Sequence, residues 1–154
     1  MNPGEITVQI TKSLDDVKRQ VEGKLATQYL DDELLKREIL DWASAQSLRE
    51  ALSNFMTRRD SAAGLQTLAL FAWWRDELPT LTAKITVASV GNTIKSAWSG
   101  LISNYLQPIL TLIHQQLWAL LATLLTVKEW SVSGDAGVSI LGLQGTAKIE
   151  ITFT

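Results

Sequence analysis

Apolar and polar residues alternate in four short segments of the chain. The clearest is 5–11, and similar runs occur at 81–88, 129–133 and 146–153. Because successive side chains of a β-strand point to opposite faces of its sheet, a period of two predicts half-buried strands. We therefore expect four strands, one in each of these segments.

Elsewhere, apolar residues recur every three or four positions, which is the spacing of an amphipathic helix. This pattern predicts four helices between the first two strands and two more over 93–127. Ser13, followed by Asp16 at capping-box spacing, indicates where the first helix begins, and Pro79 is expected to end the fourth. The inward residues of this fourth helix are expected to be Leu65, Leu68, Ala69, Ala72 and Trp73.

These elements predict an α+β domain, in which a small and mainly antiparallel sheet is covered by about six helices. The chain of 154 residues has the usual length of one domain, and no low-complexity linker divides it. We expect a single domain over 1–154, with a charge-rich helical part at 12–78. The remainder, 80–154, is expected to hold an apolar helical pair and the other strands.

Charge is distributed unevenly along the chain. Thirteen acidic and ten basic residues precede Pro79, whereas only three acidic and four basic residues follow it. The net charge of −2 provides no basic surface for a polyanion, so we expect no nucleic-acid partner. The N-terminal residues lack a basic and apolar leader, so we expect a cytoplasmic protein with possible membrane association.

The stretch from Ser96 to Val127 contains no formal charge. Its length suits a membrane span, but Pro108 divides it and His114 lies near the middle of its second part. The apolar residues of this second part also favour one helical face, which indicates packing against another element. We expect a buried core or a subunit interface, with insertion of the 93–127 helical pair into a membrane as the alternative.

Few residues offer catalytic chemistry. The chain has no cysteine and one histidine, His114, whose helical neighbours include no acid. Phosphate-binding loops and a nucleophile elbow are missing from the sequence, and paired acids at helix starts are explained by capping. We therefore expect no catalytic residue, no metal site and no cofactor.

Six tryptophans are the most unusual feature of the composition. Tryptophan is enriched at binding hot spots and at membrane–water boundaries, although a small core also accommodates large rings. Adjacent residues on a helix point about 100° apart, so we expect either Trp73 or Trp74 to be partly exposed. The candidate partner or membrane interface consists of Trp73, Trp74, Trp98, Trp118 and Gln115.

The leading functional hypothesis is a non-catalytic interaction or assembly module that self-associates through apolar helices and the terminal strands. One alternative is a membrane-active, peripheral or pore-forming protein that uses the 93–127 pair. A second is a small-ligand-binding protein or enzyme with a pocket near His114. That pocket is expected to be lined by Gln115, Gln116 and an acid from another helix.

Overall fold

The computed structural model describes residues 2–28, 30–88 and 94–125, together with the backbone of two short strands. Most of the described chain is helical. The elements in chain order are α1 (Pro3–Thr27), α2 (Glu33–Ser44), α3 (Gln46–Arg58), α4 (Ser61–Ala88), α5 (Ile94–Leu101), a π-helical segment (Ile102–Leu106), α6 (Gln107–Leu124), β1 (Val138–Ile140) and β2 (Ile149–Ile151).

The strand predicted at 5–11 is wrong, because this segment forms part of α1. Ile6 and Ile10 are four residues apart, a spacing that fits both the alternation of a strand and one turn of a helix. The helical series continues to Leu14. All three side chains are buried, whereas Val8, which a strand would have placed on the same side, is exposed. The short alternation was therefore part of a longer helical period.

Helix α1 also begins earlier than Ser13. The side chain of Asn2 accepts a hydrogen bond from the backbone N–H of Glu5 at 2.9 Å, and Pro3 occupies the first turn. Proline suits this position because its missing N–H needs no partner there. The true start signal is thus an asparagine cap followed by proline.

The strand predicted at 81–88 is wrong as well, because α4 continues through Pro79 to Ala88. Leu81 and Ile85 are buried one turn apart, while Val87 is exposed. A proline inside a helix removes one hydrogen bond but does not always end the helix. Here the apolar face on both sides of the proline packs into the core.

The predicted strand at 129–133 lies outside the described residues. Within 146–153, β2 pairs antiparallel with β1, and Ser139 lies opposite Glu150. The expected α+β fold with a helix-covered sheet is nevertheless wrong. The described core extends from Ile6 to Leu125 and consists of helices and the residues that flank them, so its class is all-α.

Helix α4 lies at the centre of this arrangement and packs against α2, α3, α5 and α6. Its approach to α3 is close at Gly64, where an added Cβ would lie 3.2 Å from Cζ of Phe55. Helix α1 packs along α6 and against α2. The fully buried side chains of largest volume include Phe55, Phe71 and Trp98.

The uncharged stretch forms α5, the π-helical segment and α6. Gln107 donates its backbone N–H to the carbonyl of Ile102, five residues earlier, immediately before Pro108. Side chains of α5 and α6, including Trp98, Ile113 and Leu117, are buried in the core. Across the helices that the structure describes, none combines the length and apolarity needed to cross a membrane.

Candidate functional site

Helix α4 borders two surface depressions, one beside α2 and one beside α6. We call the first the α2–α4 groove. It has two parts, with volumes of about 600 Å³ and about 590 Å³. Leu34 and Glu38 line both parts, so the two parts adjoin each other. Its other principal lining residues are Arg37, Asp41, Leu70, Trp73, Glu77, Lys84 and Val87.

Three large apolar side chains are exposed along this groove. The exposed fractions are 66% for Trp73, 75% for Leu34 and 77% for Val87. Trp73 lines one part of the groove, Val87 lines the other, and Leu34 lines both. Isolated exposed apolar residues are common, but several along one groove are typical of a binding surface.

Charged residues accompany the apolar ones. Nζ of Lys84 lies 2.6 Å from Oε1 of Glu38, and both side chains are about half exposed. Asp41 and Glu77 line the part of the groove that contains Trp73. The groove therefore presents both signs of charge beside apolar groups.

Beneath the groove, Trp42 and Trp74 form a reciprocal pair. Their rings stack with centroids 4.9 Å apart and planes 13° from parallel. The indole N–H of each donates to the backbone carbonyl of the other, and both N···O distances are 2.6 Å. Both side chains are buried, so the pair joins α2 to α4 with its polar groups satisfied.

The second depression, the α4–α6 cleft, has a volume of about 750 Å³. Its α4 wall contains Pro79, which has no N–H to donate to the carbonyl of Arg75 four residues earlier. The opposite wall includes the junction of the π-helical segment and α6, so both walls depart from regular α-helix. The lining residues are Arg75, Asp76, Leu78, Pro79, Thr82, Ile102, Gln107, Leu110, Thr111 and His114.

His114 is held in the cleft as a neutral ring. Its Nε2 accepts a hydrogen bond from Nε1 of Trp118 at 2.8 Å, which leaves Nδ1 to carry the hydrogen of the neutral tautomer. Burial lowers the pKa of His114 below its ordinary value of 6.5, and the nearby positive charge of Arg75 lowers this pKa further. His114 therefore offers an uncharged donor at neutral pH.

Arg75 is the cation of the cleft. Its guanidinium lies over the buried ring of Phe71, 5.7 Å from the ring centroid. Nε lies 3.3 Å from Oδ1 of Asp76. The ring of Phe71 and the contact of Nε with Asp76 restrict the position of the guanidinium, which also carries two terminal nitrogens as donors.

The two depressions are connected through the core by aromatic rings. Phe71 stacks with His114 at 5.9 Å and contacts Trp74 at 6.2 Å between ring centroids. Trp74 stacks in turn with Trp42, and His114 contacts Trp118. A row of five rings thus crosses from α2 through α4 to α6.

The structure separates the residues of the predicted interface. Trp73 is exposed and Trp74 buried, which confirms that one of the pair is exposed but makes the inward position of Trp73 wrong. Trp98 is buried and donates to Oγ1 of Thr82 at 3.0 Å. Trp118 is half-buried against His114, and Gln115 is exposed on α6.

The pocket near His114 contains an acid from another helix, Asp76, but Gln115 and Gln116 do not line it. Gln116 instead accepts a hydrogen bond from the hydroxyl of Ser13 on α1. Sequence reasoning missed Arg75 and Gln107 as lining residues. The available signals were the two prolines, since each lies close to the cleft and disturbs a helix.

Catalytic and metal-binding chemistry gain no support from this geometry. In the described residues, no group of three or more histidine, cysteine or acidic side chains could hold a metal ion. The hydrogen bond of His114 joins it to Trp118, which is not a nucleophile. No family model, curated protein or solved structure was found to match this chain.

Proposed function

We propose that this protein is a non-catalytic interaction module that self-associates through the α2–α4 groove. The observation that carries the proposal is the exposure of Trp73, Leu34 and Val87 along one groove. Burying these side chains against a partner removes apolar surface from water, at about 25 cal/mol per Å².

The groove has the dimensions of a helix-packing surface. Trp73 and Val87 are fourteen residues apart on α4, which corresponds to about 20 Å at 1.5 Å per helical residue. Trp73 is a natural anchor, since its buried neighbour Trp74 fixes this part of α4 against α2 and tryptophan is common among binding hot spots.

A second copy of the chain is the proposed occupant because the groove can complement itself. In a two-fold pair the same surface meets itself in the opposite direction. Trp73 then meets the end that carries the partner's Val87. Exposed apolar side chains are thereby brought together at both ends.

The proposal does not use the strand at 5–11, which was expected to pair between subunits, because this segment is helical. The membrane-active hypothesis for 93–127 stays a prediction. It requires that α5 and α6 leave the core, where Trp98, Ile113 and Leu117 are buried.

Sedimentation velocity over a wide concentration range tests the proposal. We expect the unaltered protein to form a dimer, and Trp73→Ser to weaken the dimer at least about tenfold, the loss of a 1.4 kcal/mol contact. Tyr105→Ser is the matched control, because Tyr105 is an aromatic residue with 50% exposure that lies outside the groove.

A strictly monomeric protein at the highest attainable concentration contradicts the proposal. So does a dimer that Trp73→Ser and Tyr105→Ser weaken equally, because that result assigns no special role to the groove. Circular dichroism of both variants establishes that each is folded before the comparison is made.

A further inference from the structure

We infer that the α4–α6 cleft binds a small carboxylate with an aliphatic body, in which Arg75 holds the carboxylate and the apolar wall holds the chain. The inference is independent of self-association, because the cleft lies on the side of α4 that faces α6. Its volume of about 750 Å³ falls within the range of small-molecule sites, roughly 300–1,000 Å³.

Arg75 supplies the charge. A carboxylate can accept two parallel hydrogen bonds from a guanidinium, and this pairing needs the guanidinium plane to be oriented. The ring of Phe71 beneath the guanidinium and the contact of Nε with Asp76 restrict its movement before a ligand arrives.

Asp76 also lines the cleft, so its negative charge must be weighed against binding of an anion. The Asp76 side chain is 55% exposed, whereas that of Arg75 is 20% exposed. Water screens an exposed charge more strongly than a partly buried one. The guanidinium charge therefore dominates inside the cleft, and a singly charged head group suits it better than a dianion.

Neutral donors complement the arginine. His114 can donate through Nδ1 because its Nε2 is already occupied by Trp118. Thr111 and Gln107 line the same α6 wall and carry hydroxyl and amide donors. An acceptor-rich head group such as a carboxylate can use these donors without requiring another charge.

An apolar wall distinguishes the expected ligand from a simple anion. Leu78, Pro79, Ile102 and Leu110 line the cleft beside the polar residues. A small inorganic anion would leave this wall in contact with water, whereas an alkyl chain covers it. The combination of one cation, neutral donors and aliphatic walls fits an aliphatic monocarboxylate.

Isothermal titration calorimetry with three probes tests the inference on the unaltered protein. Octanoate has both the head group and the chain, octan-1-ol has the chain without charge, and acetate has the head group with little chain. We expect saturable binding of octanoate, and binding of the other two that is at least about tenfold weaker, because each lacks one kind of contact.

Variants then assign the site. Arg75→Gln is expected to weaken octanoate binding about tenfold or more, and Arg75→Lys to give a smaller loss, because lysine keeps the charge without the fork. Arg19→Gln is the matched control, since this arginine is exposed on α1. Trp73→Ser is a second control, because its failure to alter octanoate binding separates the cleft from the groove.

Three results would overturn the inference: absence of saturable octanoate binding, equal binding of octan-1-ol, or an unchanged affinity in folded Arg75→Gln. Loss of binding in Trp73→Ser would place the ligand in the groove and also contradict it. The comparison of the three probes decides the question even if Arg75→Gln does not fold.

Discussion

Helix α4 borders a depression on each side, but the side chains beneath the two depressions are paired differently. Towards α2, Trp74 packs against Trp42 through ring stacking and two reciprocal hydrogen bonds. Towards α6, Phe71 contacts Arg75 and His114, and a cleft of about 750 Å³ stays open beside them. One side satisfies its polar groups within the chain, whereas the other leaves donors at a surface.

The difference comes from the side chains and the backbone at each interface. On the α2 side, two indoles meet face to face beneath the groove. On the α6 side, the cleft is lined by Pro79, which removes a hydrogen bond from α4, and by the π-helical segment that precedes Pro108. Paired indoles favour stability, whereas helix irregularities are frequent at functional sites. We expect the two sides to respond differently to the same kinds of change.

The largest effect is expected from Trp74→Ala. This change removes a buried ring and one of the two hydrogen bonds that the carbonyl of Trp42 accepts, the other coming from the backbone N–H of Ala45, so it should lower the free energy of unfolding by about 3–5 kcal/mol. Trp73→Ala alters an exposed residue one position away, and it should change the free energy of unfolding by no more than about 0.5 kcal/mol. Urea unfolding at low protein concentration measures both, and equal losses would contradict the reciprocal pair as a stabilising unit.

A smaller effect of opposite sign is expected from Pro79→Ala. Alanine restores an N–H to the interior of α4, and we expect the free energy of unfolding to rise by about 2 kcal/mol. Pro3→Ala is the control, because Pro3 lies in the first turn of α1, where the missing N–H costs nothing. Thermal unfolding compares them; destabilisation by Pro79→Ala would indicate that the ring itself supports the cleft.

Gly64→Ala tests how tightly α4 packs against Phe55 of α3. Alanine usually stabilises a helix by about 1 kcal/mol relative to glycine, and Gly23→Ala on α1 should show this gain because no atom lies within 4 Å of its new Cβ. At Gly64 the new methyl meets the fully buried Phe55 ring at 3.2 Å, so we expect the gain to be cancelled. Equal stabilisation of the two variants in urea titrations would show that Phe55 moves easily.

The smallest effect is expected from the titration of His114. Because the folded-state pKa lies below 6.5, the folded protein resists protonation more than the unfolded chain does. The contribution of neutral His114 to the free energy of unfolding is fully present above about pH 6.5. It is lost as the pH falls from there through the folded-state pKa. His114→Gln should remove this component, while the charges of Arg75 and Asp76 stay unchanged; identical stability–pH profiles of variant and parent would contradict it.

Part of the fold could be predicted from the sequence because the helical pattern is strong in α2 and α3. The paired acids at helix starts were expected to act as caps, and Asp32, the second acid of such a pair, accepts a hydrogen bond from the backbone N–H of Leu35 at 3.0 Å. The error at 5–11 has a simple cause. Residues four apart are consistent with a strand and with a helix, and only the continuation to Leu14 and Val17 distinguishes the two.

The candidate sites were less accessible to sequence reasoning. The pocket expected near His114 was to be lined by Gln115, Gln116 and an acid from another helix; Asp76 lines the cleft, but neither glutamine does. The role of Gln107 in place of Gln115 depends on how α6 follows the π-helical segment, which side-chain periodicity does not reveal. Which of Trp73 and Trp74 is buried depends on where the neighbouring helices pack against α4, and this is a tertiary property.

The Trp42–Trp74 pair also has an optical consequence. Two indoles stacked at 4.9 Å are close enough for their electronic transitions to couple, so we expect a paired positive and negative band in circular dichroism where the two transition dipoles are skewed. Because the two residues belong to different helices, this signal exists only while α2 and α4 are in contact. The molecule therefore carries an intrinsic spectroscopic probe of the α2 side of α4, readable without any added label.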